Sequence, residues 1–149
     1  MMTAQNMITQ LDLQPHPEGG YYRQTYASTA LMPDGRAAAT AILFLLTHDD
    51  PSNFHRFDAE EMWHFYAGDA LTVHVIDEVG AYSTLSIGPD FEAGQVFQAV
   101  VKPNVWFGSS VDAASDAKGW SLVGCTVTPG FSFDGFELAD RATMLAAFP

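Results

Sequence analysis

Histidine and glutamate side chains are concentrated in FHRFDAEEMWHFYAGDAL, residues 54–71 of the chain. This segment holds two of the five histidines and two adjacent glutamates, and it closes with Gly-Asp. Imidazole nitrogens and carboxylate oxygens can bind a first-row metal ion. The same groups can act as an acid–base pair, because histidine titrates near neutral pH. The residue types therefore point to either metal-dependent or metal-free chemistry.

Strand alternation predicts which of these side chains share a face. Read as a strand, the segment turns Glu61, Trp63 and Phe65 to the same side. His64 and Tyr66 then point the other way, unless a bulge intervenes. We therefore expect Glu61, rather than His64, to face the interior of the protein.

These residues must be positioned by a chain made mostly of short strands. Apolar positions after a capping Thr3 predict a helix over residues 3–13, and LADRATMLAAF predicts another over 138–148. Between them, segments rich in β-branched and aromatic residues alternate with Gly, Pro, Asp and Asn, and no long helical pattern separates them. The predicted strands are 21–26, 37–46, 61–67, 71–76, 82–87, 95–101, 105–110 and 120–127. This pattern favours an all-β sandwich, jelly roll or small barrel.

The run AILFLL, residues 41–46, is continuously apolar rather than alternating. A strand of this kind is covered on both of its faces. One cover would be the rest of the barrel, and the other a terminal helix or a second subunit. A homodimer is therefore expected.

Length and composition limit the classes of protein to consider. The 149 residues suit a single domain over 1–149, and 18 acidic against 6 basic residues give a formal net charge of -12. Nothing basic is clustered, so we expect no nucleic-acid partner and no anionic membrane partner. One cysteine, Cys125 in an apolar run, suits a reducing compartment. With neither a signal peptide nor an apolar run of membrane-spanning length, a cytoplasmic location is expected.

The spacing of His55, Phe57, Glu61 and Gly68 resembles the first signature of the cupin superfamily, H-x-[H]-x3-E-x6-G, with Phe57 at a histidine position. Residues 94–107, GQVFQAVVKPNVWF, resemble the second signature more faintly, with Phe107 at its histidine position. The segments PHPEGGYYRQTY, VKPNVWFG and GFELADRATMLAAFP extend the resemblance to a group of small, uncharacterised single-domain cupins. The resemblance implies a cupin double-stranded β-helix (jelly-roll barrel) with short terminal helices and a ligand pocket inside the barrel.

The resemblance also bears on a metal cofactor. Metal-binding cupins usually hold the ion with three histidines and one glutamate, whereas this chain keeps only His55 and Glu61 and has Phe57 and Phe107 at the other two positions. We therefore expect no metal cofactor. If a metal were bound, His55, Glu61 and His64 would be its ligands.

A metal-free role for the same residues follows from the resemblance to sugar-nucleotide epimerases of this fold. There His55 would be the base, Glu61 its partner or a substrate contact, and Tyr22 or Tyr66 the acid. Arg23 and Arg56 could then receive an anionic group of the ligand. The expected pocket wall is aromatic: Trp63, Phe65 and Trp106 or Phe107.

The leading hypothesis is a small-molecule-binding cupin with metal-independent isomerase or epimerase activity on a carbohydrate-like or other small polar substrate. One alternative is a metal-dependent cupin enzyme, a dioxygenase or isomerase. Another is a non-catalytic ligand-binding or storage-like cupin. Because a fold alone does not determine function, the geometry of the site has to decide among them.

Overall fold

The computed structural model describes residues 2–113 and 117–148, which form two antiparallel sheets with a short helix near each end of the chain. In chain order the elements are α1 (Ala4–Gln10), β1 (Gln14–Pro15), β2 (Tyr21–Ala27), β3 (Thr40–Thr47), β4 (Ser52–Arg56), β5 (Glu60–Gly68), β6 (Leu71–Ile76), β7 (Tyr82–Ile87), β8 (Gln98–Val101), β9 (Trp106–Val111), β10 (Trp120–Thr128), a 3₁₀ turn (Phe133–Gly135), β11 (Glu137–Leu138) and α2 (Arg141–Ala147).

The two sheets enclose the main hydrophobic core. One sheet has six strands in the order β1-β2-β3-β10-β5-β8, and the other has five in the order β11-β4-β9-β6-β7. Buried side chains from both sheets, among them Phe44, Trp63, Val73 and Phe107, form one cluster between them. This is the jelly-roll barrel with short terminal helices that the resemblance implied. No helix within the described residues is long and apolar enough to cross a membrane.

The continuously apolar strand β3 is covered by the barrel on one face and by α1 on the other. Phe44 and Leu46 belong to the core between the sheets. Leu45 is fully buried in a second cluster, where Met7 and Ile8 of α1 pack against it. The second cover of the AILFLL run is therefore the N-terminal helix of the same chain. The apolar run AILFLL is therefore not by itself evidence for a second subunit.

All eight predicted strands are present, with bounds that differ by at most three residues. Strand β4, however, is missing from the prediction. Its sequence SNFHR follows turn-forming residues, and its partner β9 lies far along the chain, pairing His55 with Phe107. A strand specified by a distant partner carries little local signal. This strand carries His55, one of the predicted site residues.

The packing of α1 gives a testable difference between two leucines. Leu45→Ala removes a side chain with 0% exposure, and we expect it to lower the free energy of unfolding by about 2–5 kcal/mol. The matched control is Leu31→Ala, at a side chain with 67% exposure, which should change stability by less than about 0.5 kcal/mol. Urea denaturation of both variants measures the difference. Equal effects would contradict the packing described for α1.

Candidate functional site

A cavity of about 270 Å³ lies inside the barrel, and strands of both sheets line it. Its polar lining consists of His16, Glu18, Tyr22, Gln24, Thr40, His55 and Glu61. Its apolar lining consists of Ile42, Phe57, Val127, Phe131 and Phe133. The cavity therefore combines several titratable groups with an aromatic surface, which is typical of a ligand site.

His55 is held by hydrogen bonds at both ring nitrogens. Nδ1 lies 2.7 Å from the backbone carbonyl oxygen of Asn53, and Nε2 lies 2.7 Å from Glu18 Oε2. A carbonyl oxygen only accepts, so Nδ1 carries a proton, and the second proton is shared between Nε2 and the carboxylate. Burial lowers the pKa of His55, but attraction to Glu18 and Glu61 and the hydrogen bonds with Glu18 and the Asn53 carbonyl together outweigh burial, and the net shift is upward. The two short contacts and the raised pKa favour an imidazolium form of His55, paired with the Glu18 carboxyl group.

The loop HPEGG carries Glu18 into the barrel. Asn53 fixes this loop, because its backbone N–H and its side-chain amide both donate to the carbonyl oxygen of Glu18, at 2.6 and 2.9 Å. Gly19 and Gly20 have φ of 107° and 76°, a left-handed conformation that glycine adopts without strain. A Cβ on Gly19 would also overlap the carbonyl oxygen of Pro51. The two glycines thus bring the loop close enough for Glu18 to reach His55.

His16 is the second histidine of the cavity, and it stays neutral. Its Nδ1 accepts a hydrogen bond from the backbone N–H of Glu18 at 3.1 Å, so that nitrogen carries no proton. Burial lowers the pKa of His16; Glu18 opposes this shift, and the neighbouring His55 adds to it. An acceptor nitrogen and a lowered pKa agree on a neutral imidazole at pH 7.

Glu61 is a buried carboxyl group that keeps its proton at neutral pH. Burial raises the pKa of Glu61, Glu18 raises it further, and His55 and the neighbouring Cys125 and Trp63 side chains lower it in part, leaving a pKa of about 8. Among the described residues, Glu61 Oε2 has no hydrogen-bond partner. The cavity therefore holds two carboxyl groups in different states, an ion-paired Glu18 and a neutral Glu61.

Of the predicted catalytic residues, the structure brings His55, Glu61 and Tyr22 to this cavity. The ring of Tyr22 packs edge-on against His16, with centroids 4.6 Å apart. Phe107, predicted as part of the pocket wall, does not line the cavity; it is buried in the core against His55, with ring centroids 4.2 Å apart.

The other predicted residues of the aromatic wall lie elsewhere. Trp63 and Phe65 belong to the barrel core or pack against it, and neither lines the cavity. Trp106 points away from the core, where the Arg56 guanidinium lies 4.4 Å from the centre of its ring. The aromatic surface of the cavity comes instead from Phe57, Phe131 and Phe133.

Neither arginine predicted to contact a ligand lines the cavity. Arg56 follows His55 on β4 and faces outward, where its Nε donates to Glu137 at 2.9 Å. Arg23 follows Tyr22 on β2 and is exposed. Both placements follow from strand alternation, which turns the neighbour of an inward residue outward. The structure therefore corrects the prediction of an anion-binding arginine in this cavity.

His64 and Tyr66 lie on the outer face of the six-stranded sheet, as alternation predicted. His64 Nε2 lies 2.6 Å from Thr126 Oγ1, and its Nδ1 lies 3.1 Å from the side-chain amide of Gln98. Tyr66 is 55% exposed, and its ring lies over Gly124. Neither residue can act in the cavity, so Tyr22 is the tyrosine left for an acid role.

Sequence reasoning missed Glu18 and His16 as members of the site. Their segment PHPEGG lies between the first predicted helix and the first predicted strand and has no alternating apolar pattern. One signal was available: a charged glutamate between proline and two glycines, directly before a strand that feeds the barrel. The Glu18 side chain is only 7% exposed, so it lies inside the barrel and not in solvent.

The donor set does not fit the metal site of three histidines and one glutamate that is common in this fold. Both nitrogens of His55 are engaged, one by the Asn53 carbonyl and one by Glu18. Phe57 and Phe107, which offer no donor atoms, pack against the His55 ring. Among residues 2–113 and 117–148, no group of three or more His, Cys, Asp or Glu side chains is arranged to hold a metal ion.

The neutral Glu61 predicts how stability depends on pH. Between its ordinary pKa of 4.5 and its raised value of about 8, the folded chain holds a proton that the unfolded chain has released. Stability therefore falls as pH rises through this window. Glu61→Gln has no such proton. The free energy of unfolding of this variant, relative to that of the wild type, should therefore increase by at least about 1.4 kcal/mol from pH 5 to pH 9.

Urea denaturation at pH 5, 7 and 9 measures this gain. The control is Glu60→Gln, which removes the adjacent and exposed carboxylate. Its free energy of unfolding should differ from that of the wild type by the same amount at all three pH values. If the difference between Glu61→Gln and the wild type were also constant, the raised pKa of Glu61 would be contradicted.

Comparison with known proteins identifies the family of this chain. Residues 5–139 match the family described as Cupin superfamily (DUF985). The chain is 28% identical over 147 residues to the uncharacterized protein YML079W of Saccharomyces cerevisiae, an alignment covering 89% of this chain and 73% of that protein.

Solved structures of high similarity are also uncharacterised. Protein SO0799 of Shewanella oneidensis superimposes with a TM-score of 0.92 and 41% identity, over 98% of this chain and 90% of that one. A hypothetical protein from Leishmania major gives a TM-score of 0.92 and 38% identity, over 99% and 93%. Oxalate decarboxylase of Bacillus subtilis, at 14% identity and a TM-score of 0.62 over 92% of this chain and 34% of that one, shares the fold alone. The chain belongs to the DUF985 family of the cupin superfamily.

Proposed function

We propose that the protein binds a small polar molecule in the barrel cavity and moves a proton on a carbon atom next to its carbonyl group, as an isomerase or epimerase does. The observation that carries this proposal is the pair of carboxyl groups in one cavity, Glu18 ion-paired with His55 and Glu61 kept neutral. Environments that hold two neighbouring acids in different protonation states are a recurrent basis of acid–base catalysis.

The roles follow from which atoms hold protons. Glu61 donates its proton to the substrate carbonyl oxygen, while the Glu18 carboxylate takes the proton from the adjacent carbon, giving an enol. His55 stabilises Glu18 through the 2.7 Å contact and orients it. Tyr22, which lines the same cavity, then donates a proton to the other face of that carbon while the Glu61 carboxylate takes back the enol O–H proton, and Glu18 passes its proton through solvent to the Tyr22 phenolate. The base is thus the Glu18–His55 pair instead of His55 alone.

We also propose that this chemistry needs no metal ion. The support is the donor set: the His55 nitrogens are both engaged, and Phe57 and Phe107 stand beside them. Polarisation of the carbonyl, which a metal would otherwise supply, is assigned to the neutral carboxyl of Glu61.

Solvent exchange at carbon tests the proposal. The wild type, dialysed against EDTA, is incubated in D2O with a panel of neutral aldoses and ketoses of three to six carbons, and proton NMR follows the signal next to the carbonyl. At least one panel member should lose that signal. Glu61→Gln and His55→Gln should slow the loss by about 100-fold or more, because each removes a proton-transfer group or its support.

The matched control is His74→Gln. His74 lies outside the cavity, hydrogen-bonded to Tyr82 and Ser110, and its replacement should leave the rate unchanged. Exchange that disappears after EDTA and returns with added metal would reject the metal-free mechanism. A panel with no exchange at all would reject proton transfer on these substrates.

We further propose that two copies of the chain pair through the outer face of β5, β8 and β10. The support is a patch of Met62, His64, Val100 and Thr126, where Val100 is 41% exposed. A two-fold dimer uses the same patch on both copies, so a charge placed there meets its own copy.

Sedimentation at micromolar concentration should therefore give a particle of twice the 16.2 kDa chain mass. Val100→Glu should give single chains, while the control Val79→Glu, at an 88% exposed side chain, should not. A wild type that sediments as single chains would contradict the dimer.

A further inference from the structure

We infer that the barrel cavity selects an uncharged ligand of about monosaccharide size, which places a carbonyl or hydroxyl oxygen against the Glu61 carboxyl group and its C–H surface against Phe57, Phe131 and Phe133. The inference rests on the proposed function and names the substrate class of the same site. It departs from the sugar nucleotides that the family resemblance suggests, because those are large and carry a diphosphate.

The charges around the cavity exclude an anionic ligand. Of the six lysines and arginines, all within the described residues, none lines the cavity. Arg36 pairs with Asp34 and Asp58, and Arg56 pairs with Glu137. The others are exposed: Arg23, Lys102, Lys118 and Arg141.

The positive charge of His55 is already matched by Glu18 at 2.7 Å. A phosphate or carboxylate entering this cavity would be desolvated beside the Glu18 carboxylate, with no cation left to compensate it. That placement is strongly unfavourable. With His16 and Glu61 neutral, the cavity has no net charge, and an uncharged ligand brings none.

The size of the cavity limits the ligand as well. Its volume of about 270 Å³ corresponds to roughly nine water molecules at their liquid volume. It lies just below the range of about 300–1,000 Å³ for pockets that bury drug-sized ligands. A molecule with on the order of ten non-hydrogen atoms fits this volume, whereas most of a sugar nucleotide would extend beyond it.

The lining offers both surfaces that a polyhydroxylated molecule needs. Phe131 packs edge-on against Phe57 and Phe133, with ring centroids 5.5 and 4.8 Å apart, forming a continuous aromatic wall. The Glu61 carboxyl group lines the cavity together with this wall, so a ligand oxygen can accept a hydrogen bond from it. Gln24 and Thr40 add further polar atoms.

Binding of such a ligand should depend on pH through Glu61. Its pKa of about 8 reflects burial and Glu18, opposed by His55. Cys125 beside it remains a thiol, because burial and Glu61 raise its own pKa. The titratable groups facing the site are thus His16, Glu18, Tyr22, His55 and Cys125. When Glu61 ionises, its hydrogen-bond donor is lost, and a negative charge appears opposite the ligand oxygen.

Ligand-observed NMR and calorimetry with matched sugar sets test the inference. Each set holds a neutral aldose or ketose of three to six carbons, its terminal phosphate, its uronate or other carboxylate, and its amino derivative. At pH 6.5 we expect neutral members to bind at least about 10-fold more tightly than their charged counterparts. Wild-type affinity should fall about 30-fold between pH 6 and pH 9.5, as expected for loss of a proton with a pKa of about 8.

Two comparisons make the test more specific: Gln24→Lys with Thr25→Lys, and Glu61→Gln with the wild type. Gln24→Lys adds a cation to the cavity rim and should strengthen binding of the phosphate and carboxylate members. Thr25→Lys adds the same charge at the neighbouring exposed residue outside the cavity and should not. Glu61→Gln keeps an N–H donor, so its affinity for neutral members should stay constant from pH 6 to pH 9.5.

Charged members that bind as tightly as neutral ones in the wild type would overturn the inference. So would the absence of binding by every neutral member. The same sets are also incubated in the D2O exchange assay. Binding of neutral members without deuterium exchange would support the ligand class and reject the catalytic proposal. Exchange only on the phosphorylated members would reject the ligand class and support proton transfer.

Discussion

The contact between His55 Nε2 and Glu18 Oε2 is the interaction on which the rest of the site depends. A buried ion pair is tolerated only where further hydrogen bonds satisfy both partners. Asn53 supplies them on both sides, since its carbonyl oxygen accepts from His55 and its two N–H groups hold the backbone of Glu18. One residue of β4 thus ties the HPEGG loop to the barrel and orients the histidine.

This ion pair also determines the state of Glu61. A second carboxylate placed near Glu18 in a buried cavity would be repelled, so Glu61 holds its proton and remains a donor. The same arrangement engages both nitrogens of His55 and removes them as metal ligands. The proposed acid–base chemistry, the inferred preference for an uncharged ligand and the poor fit to a metal ion all depend on this one pairing.

Local pattern was enough to predict much of the barrel. Eight strands and both helices could be predicted from local residue propensities and apolar patterns, with turn residues between them. Alternation also separated Glu61 from His64 correctly. Strand β4 could not be predicted in this way, because its pairing with β9 and β11 joins residues far apart in the chain.

The sequence alone determined that the chain is a cupin barrel with His55 and Glu61 as its characteristic pair, because the spacing of that signature is local. Only the tertiary structure decided that Glu18 is the partner of His55, that the arginines face outward and that Phe131 and Phe133 line the cavity. Each of these depends on where a loop or a distant segment packs against the barrel. The charge of the site is therefore a property of the fold and not of the motif.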